Sequence, residues 1–80
     1  MSKAENQKTN VISKDELSQI QTYLRSTFSN TTIKVAARPK KDDSAEVYVG
    51  DEFVGVIYVD DEDDDRSFNF QMAILDSDLE

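Results

Sequence analysis

The chain contains no cysteine and no histidine among its 80 residues. Without cysteine it has neither disulfide bonds nor thiolate zinc sites. Without histidine it lacks the commonest general base and the commonest transition-metal ligand. Its two glycines, Gly50 and Gly55, match no phosphate-binding pattern, because Asp51 and Glu52 stand where a phosphate would lie. No nucleophile stands at a recognisable spacing from a base, so the sequence predicts a protein that is not an enzyme and uses no cofactor.

Long apolar runs are also missing. Residues 1–10 are polar and do not resemble a signal peptide, and no run approaches the ~20 apolar residues that span a bilayer. We therefore expect a cytoplasmic protein that does not enter a membrane. Its predicted organisation is a disordered tail over residues 1–10, a single α+β domain over 11–75 and an acidic C-terminal tail over 76–80.

The net charge of −8 is divided unevenly along the chain. Residues 1–41 hold eight Lys/Arg against three Asp/Glu, whereas residues 42–80 hold one against fourteen. Such a distribution favours solubility, and it also repels nucleic acid while attracting cations or basic proteins. The short basic cluster at 38–41 is followed at once by Asp42 and Asp43, so we expect no nucleic-acid binding.

One helix has a clear beginning. Ser13 and Glu16 have the spacing of a capping box, and Ile12 and Leu17 stand at the two positions of a hydrophobic staple. Apolar residues then recur every three or four positions and predict a stripe buried in the core: Leu17, Ile20, Leu24 and Phe28. Ser29-Asn30 is expected to end the helix, because asparagine tolerates the left-handed conformation.

Four strands are predicted after the helix, over residues 31–38, 45–49, 52–59 and 66–75. Pro39 ends the first strand, since proline cannot donate to a β-ladder. Gly50 and Asp51 suit a two-residue turn with glycine at its first position. The sequence therefore predicts an α+β fold, with one N-terminal helix packed on a four-stranded antiparallel β-meander.

The third predicted strand is apolar on both faces, which one helix cannot cover. With an even-length turn, one face carries Val47, Val49, Val54, Val56 and Tyr58, and the other carries Tyr48, Phe53 and Ile57. A shift of one residue would redistribute these sets. The surplus predicts an apolar patch for a basic protein partner or for a homodimer, with Val54, Val56 and Tyr58 as contacts. Cover by Ile12, the tail or the acidic loop is the alternative.

Six consecutive carboxylates follow this strand: Asp60, Asp61, Glu62, Asp63, Asp64 and Asp65. They repel one another unless a cation or a basic surface neutralises them. We interpret them as a docking site for a basic partner or as a mobile solvated loop. The third alternative is a divalent-cation site for Ca²⁺ or Mg²⁺, with Asp61, Asp63 and Asp65 as candidate ligands. The EF-hand template is not met, because Arg66 stands at its glycine position and Met72 at its final glutamate.

The stretches 38–58 (RPKKDDSAEVYVGDEFVGVIY) and 67–76 (SFNFQMAILD) carry a family resemblance. Over about residues 13–80 the chain resembles a small family of bacterial proteins, a domain of unknown function found in alphaproteobacteria. The resemblance implies a bacterial cytoplasmic protein. It assigns no catalytic or binding residues, so the candidate residues above rest on their chemistry alone.

Overall fold

A computed structural model describes residues 11–60 and 65–80. Within them, helix α1 (Lys14–Thr27) precedes four strands, namely β1 (Ile33–Ala37), β2 (Ser44–Val49), β3 (Glu52–Asp60) and β4 (Ser67–Met72). The strands form one antiparallel sheet in the order β1-β2-β3-β4. The predicted α+β fold is confirmed, while the predicted tail at 1–10 lies outside the described residues.

The predicted capping box starts α1. The Ser13 hydroxyl accepts the Glu16 N–H at 3.1 Å, and the Glu16 carboxylate accepts the Ser13 N–H at 3.0 Å. The helix ends just before the predicted stop at Ser29-Asn30, but Ser29 and not Asn30 takes the positive φ, at 52°. The Asn30 side chain instead accepts the Thr32 N–H at 2.9 Å and the Thr32 hydroxyl at 2.6 Å, which fixes the turn into β1.

The last strand is shorter than predicted, since β4 ends at Met72 and not at Leu75. A 3₁₀ helix (Asp76–Leu79) occupies the segment predicted as an acidic tail. Its first turn is closed by Asp78, whose backbone N–H donates to the Leu75 carbonyl at 2.8 Å and whose carboxylate accepts the Leu75 N–H at 3.0 Å. A local side-chain acceptor thus competes successfully with continuation of the strand.

The predicted turn is confirmed, because Gly50 has φ of +62° and Val49 pairs directly with Glu52. The predicted faces of β3 are right at Val54, which packs on the side of Val47, and wrong from Val56 onward. Tyr48 pairs with Phe53 but Val47 pairs with Gly55, so Val54 is a bulge residue without a partner on β2. A bulge shifts the alternation by one position.

As a consequence, the helix-side face carries Ile57 and the opposite face carries Val56 and Tyr58. Ile57 pairs with Ala45 and is only 2% exposed. It forms the buried core with Leu24, Ile33 and Val47, against which Val54 and Phe68 pack. Truncating such a residue typically lowers the free energy of unfolding by about 2–5 kcal/mol.

Helix α1 lies over β1, at one side of the sheet. The Gln21 side chain accepts the Val35 N–H at 3.0 Å, and the Arg25 guanidinium donates to the Ile33 carbonyl at 2.7 Å. A helix about 10 Å wide covers about two strands that are spaced ~4.8 Å apart. Because the sheet has four strands, the helix does not reach across all of it, and Phe70 and Met72 of the outer strand β4 stay exposed on the helix side.

Candidate functional site

An apolar groove runs between α1 and β4 on the helix side of the sheet; we call it the β4 groove. Two adjoining cavities of ≈ 460 and ≈ 220 Å³ form it and share Leu24, Phe28 and Phe70. Tyr23 and Phe68 line the larger cavity, and Met72 lines the smaller. Its walls are therefore mostly aromatic and aliphatic side chains from the end of α1 and from β4.

Several of these side chains are exposed, and one of them belongs to the stripe that the sequence predicts in the core. Phe28, the last member of the predicted core stripe, is 56% exposed, and Tyr23 beside it is 66% exposed. Met72 on the facing strand is 51% exposed. The prediction that the whole stripe is core is thus wrong at its C-terminal end, because the sheet beneath that end is not fully covered. Exposed apolar residues gathered in a groove are typical of a binding surface.

The three residues predicted to contact a partner, Val54, Val56 and Tyr58, all line one depression on the side of the sheet opposite the helix, but Val54 also borders the β4 groove. Val54 packs against the core and lines the smaller cavity of the β4 groove. Val56 and Tyr58 face the opposite side of the sheet, where a depression of ≈ 370 Å³ also contains Phe53 and Leu75. Among the large apolar side chains that line it, Phe53, Tyr58 and Leu75 are exposed, and Val56 is half-buried. The described residues therefore form two apolar surfaces, and the larger one is the groove that sequence reasoning missed.

A polar pair on the opposite side of the sheet, away from the helix, gives that surface a different character. The Tyr48 hydroxyl donates to a Glu46 carboxylate oxygen at 2.8 Å, and the Tyr48 ring meets Phe53 edge to face at 5.7 Å. The hydrogen bond to Glu46 raises the pKa of the Tyr48 hydroxyl, so this tyrosine stays protonated at neutral pH. The opposite side of the sheet thus combines aromatic rings with a negative charge.

One end of the β4 groove is held by an ion pair. Arg66, directly before β4, bonds the Glu16 carboxylate through two nitrogens at 2.8 and 3.0 Å and also donates to the Val11 carbonyl at 2.6 Å. Its guanidinium lies 5.5 Å from the Phe68 ring centroid. The hydrogen bond from Arg66 holds the pKa of Glu16 below its usual range. This contact joins the start of α1 to the start of β4 and so fixes the width of the groove.

The acidic loop is described only at its ends. Asp60 ends β3, Asp65 is exposed, and Asp61, Glu62, Asp63 and Asp64 lie outside the described residues. In the part of the chain that the structure does describe, no three acidic side chains converge as a metal site would require. The predicted cation site therefore stays a prediction.

The basic cluster has a structural contact. The Arg38 guanidinium donates to the hydroxyl of Ser44 at 3.0 Å, and Ser44 is buried. Arg38 thereby satisfies a buried polar group. This arrangement holds the connection between β1 and β2 against the sheet.

Together these features define the class of protein: a small α+β domain whose helix leaves an apolar groove beside a free strand edge. The chain belongs to the family described as "Protein of unknown function (DUF3126)", whose model matches residues 16–78. The predicted resemblance to a domain of unknown function is thereby confirmed. Neither a curated protein nor a solved structure matches the chain. Across residues 11–60 and 65–80, no helix combines the length and apolar composition needed to cross a bilayer.

Proposed function

We propose that this protein is a non-enzymatic interaction module that binds a basic protein partner through the β4 groove. The observation that carries the proposal is the exposure of Tyr23, Phe28 and Met72 around one continuous apolar groove. Large exposed apolar side chains are unfavourable in water, and burial against a partner recovers about 25 cal/mol per Å². The groove supplies affinity in this proposal.

The acidic half of the chain supplies attraction at longer range. Residues 42–80 hold fourteen Asp/Glu and one Arg, and this field accelerates encounter with a positively charged surface. We place the protein in the bacterial cytoplasm and, following the family resemblance, in alphaproteobacteria. Binding of Ca²⁺ or Mg²⁺ by the 60–65 loop is the alternative function that its six carboxylates favour.

Affinity capture with two matched double variants tests the proposal. Tyr23→Ser with Met72→Gln alters exposed side chains of the β4 groove, and Val56→Thr with Tyr58→Ser alters the opposite face. We expect a captured partner, purified and titrated, to bind the groove variant at least about tenfold more weakly than the wild type. Binding to the opposite-face variant should stay unchanged.

Two results would contradict the proposal. Loss of binding only in the opposite-face variant would move the site to the surface of Val56 and Tyr58. Equal binding by both variants and the wild type would exclude both apolar surfaces as the binding site. The cation alternative is tested separately: millimolar Ca²⁺ should shift the amide resonances of Asp60 and Asp65 more than monovalent salt does, and equal shifts would exclude it.

A further inference from the structure

The two edges of the sheet are treated differently. At the β1 edge, Gln21 and Arg25 occupy an outward backbone N–H and C=O. The β4 edge pairs with β3 alone, and no side chain of the described residues hydrogen bonds to its backbone. Its sequence, SFNFQM, contains no charged residue and no proline. Sheet edges without such protection are the ones that accept another strand.

The β4 groove lies directly beside this unprotected edge. Phe70 and Met72 of β4 line the groove, whereas Asn69 and Gln71 alternate with them and face the other side. A strand added to β4 would place every second side chain over the groove, towards Tyr23 and Phe28. Its remaining side chains would lie beside the polar Asn69 and Gln71. The edge and the groove therefore select an extended segment with alternating apolar and polar residues.

Charge decides which kind of segment fits. Exposed Asp65 stands just before β4, and Asp76, Asp78 and Glu80 follow it. A second copy paired antiparallel would bring its acidic end beside this acidic beginning, between chains that each carry −8. A segment with Lys or Arg at both ends meets opposite charge at both ends of β4.

We propose that β4 accepts an extended, basic-ended segment of a partner protein as a fifth strand of the sheet. This inference rests on the proposed function and adds the binding mode and the chemistry of the ligand. Backbone hydrogen bonds to β4 supply one part of the affinity, and alternate apolar side chains in the β4 groove supply the other.

The test uses a labelled nonapeptide, Lys-Arg-Val-Thr-Ile-Thr-Val-Arg-Lys, with the full chain. Binding is measured by fluorescence anisotropy, and hydrogen exchange of the amides of residues 67–72 is followed by NMR. Two matched peptides serve as controls: one with N-methyl groups on two residues along one edge, and one with glutamate at its four basic positions. We expect the first change to weaken binding by about tenfold or more, because it removes backbone hydrogen bonds.

The outward β4 amides should also exchange at least about tenfold more slowly when the peptide is bound. The glutamate peptide should bind much more weakly at low ionic strength than at high ionic strength. Binding that tolerates N-methylation, or that leaves β4 exchange unchanged, overturns strand addition but leaves a groove-dependent partner intact. No binding of the nonapeptide also overturns it. Protection of β4 that rises with protein concentration alone, with a doubled mass in sedimentation, identifies a second copy as the occupant and overturns the proposal.

Discussion

Replacing Gly55 with alanine tests how closely β4 lies against β3. A Cβ at Gly55 would overlap the backbone carbonyl oxygen of Gln71 and stand 2.7 Å from Cε1 of Phe70. The ring of Phe70 can move, but the Gln71 carbonyl belongs to the adjoining strand. Relief of the overlap therefore requires β3 and β4 to separate locally.

The expected loss follows from two opposed terms. Overpacking of this kind lowers the free energy of unfolding by about 1–3 kcal/mol. Alanine also restricts the unfolded chain, which returns about 0.4–1 kcal/mol. The midpoints of these ranges are about 2 and about 0.7 kcal/mol, so we expect Gly55→Ala to be less stable than the wild type by about 1.3 kcal/mol. Urea denaturation measures the difference, and the m-values of the two proteins are compared.

Two further variants isolate the cause. In Gly50→Ala the new Cβ meets no atom within 4 Å, but the backbone has φ of +62°, so the loss of about 1–2 kcal/mol has a conformational origin. Phe70→Leu should be less harmful in the Gly55→Ala background than alone, because it removes part of the overlap. The effects of Phe70→Leu and Gly50→Ala on the free energy of unfolding should instead be additive. Unchanged or increased stability of Gly55→Ala would refute the close contact.

Three other expectations concern the helix and its contacts. Ser13→Ala removes the hydroxyl of the capping box and should lower the free energy of unfolding by about 1 kcal/mol in thermal or urea denaturation; a change near zero would contradict the cap. Glu16→Gln should be less stable than the wild type at neutral pH, because Arg66 bonds the ionised carboxylate and lowers its pKa. The difference should shrink as the pH falls below the ordinary glutamate value of about 4.3 and through the lowered folded pKa, and a constant difference would show that the charge does not contribute. Gln21→Ala should speed hydrogen exchange at the Val35 amide, which Gln21 now accepts at 3.0 Å, and unchanged exchange would mean that this edge is protected by another group.

Much of the fold follows from local sequence. The capping box at Ser13, the turn at Gly50 and the period-two alternation each depend on residues within a few positions of one another. Such signals define the start of α1, the antiparallel meander and the fold class. They locate the ends of elements less well, as the early end of β4 at Met72 shows, because several residues compete for the last ladder position.

The candidate site depended on contacts between distant residues. The Val54 bulge moves Ile57 into the core and Val56 to the opposite face, and no local pattern in β3 distinguishes the two registers. The ion pair between Glu16 and Arg66 spans fifty residues of chain. Neither could be derived from spacing, because each is chosen by packing across the sheet.

The sequence by itself determined that one amphipathic helix and four alternating strands exist, with an acidic second half. Only the tertiary structure decided that α1 lies over β1, bonds its edge through Gln21 and Arg25, and leaves β4 uncovered. The physical reason is width: a helix about 10 Å across shields about two strands of a four-stranded sheet. Which two strands it shields is settled by side chains that meet only after the chain has folded.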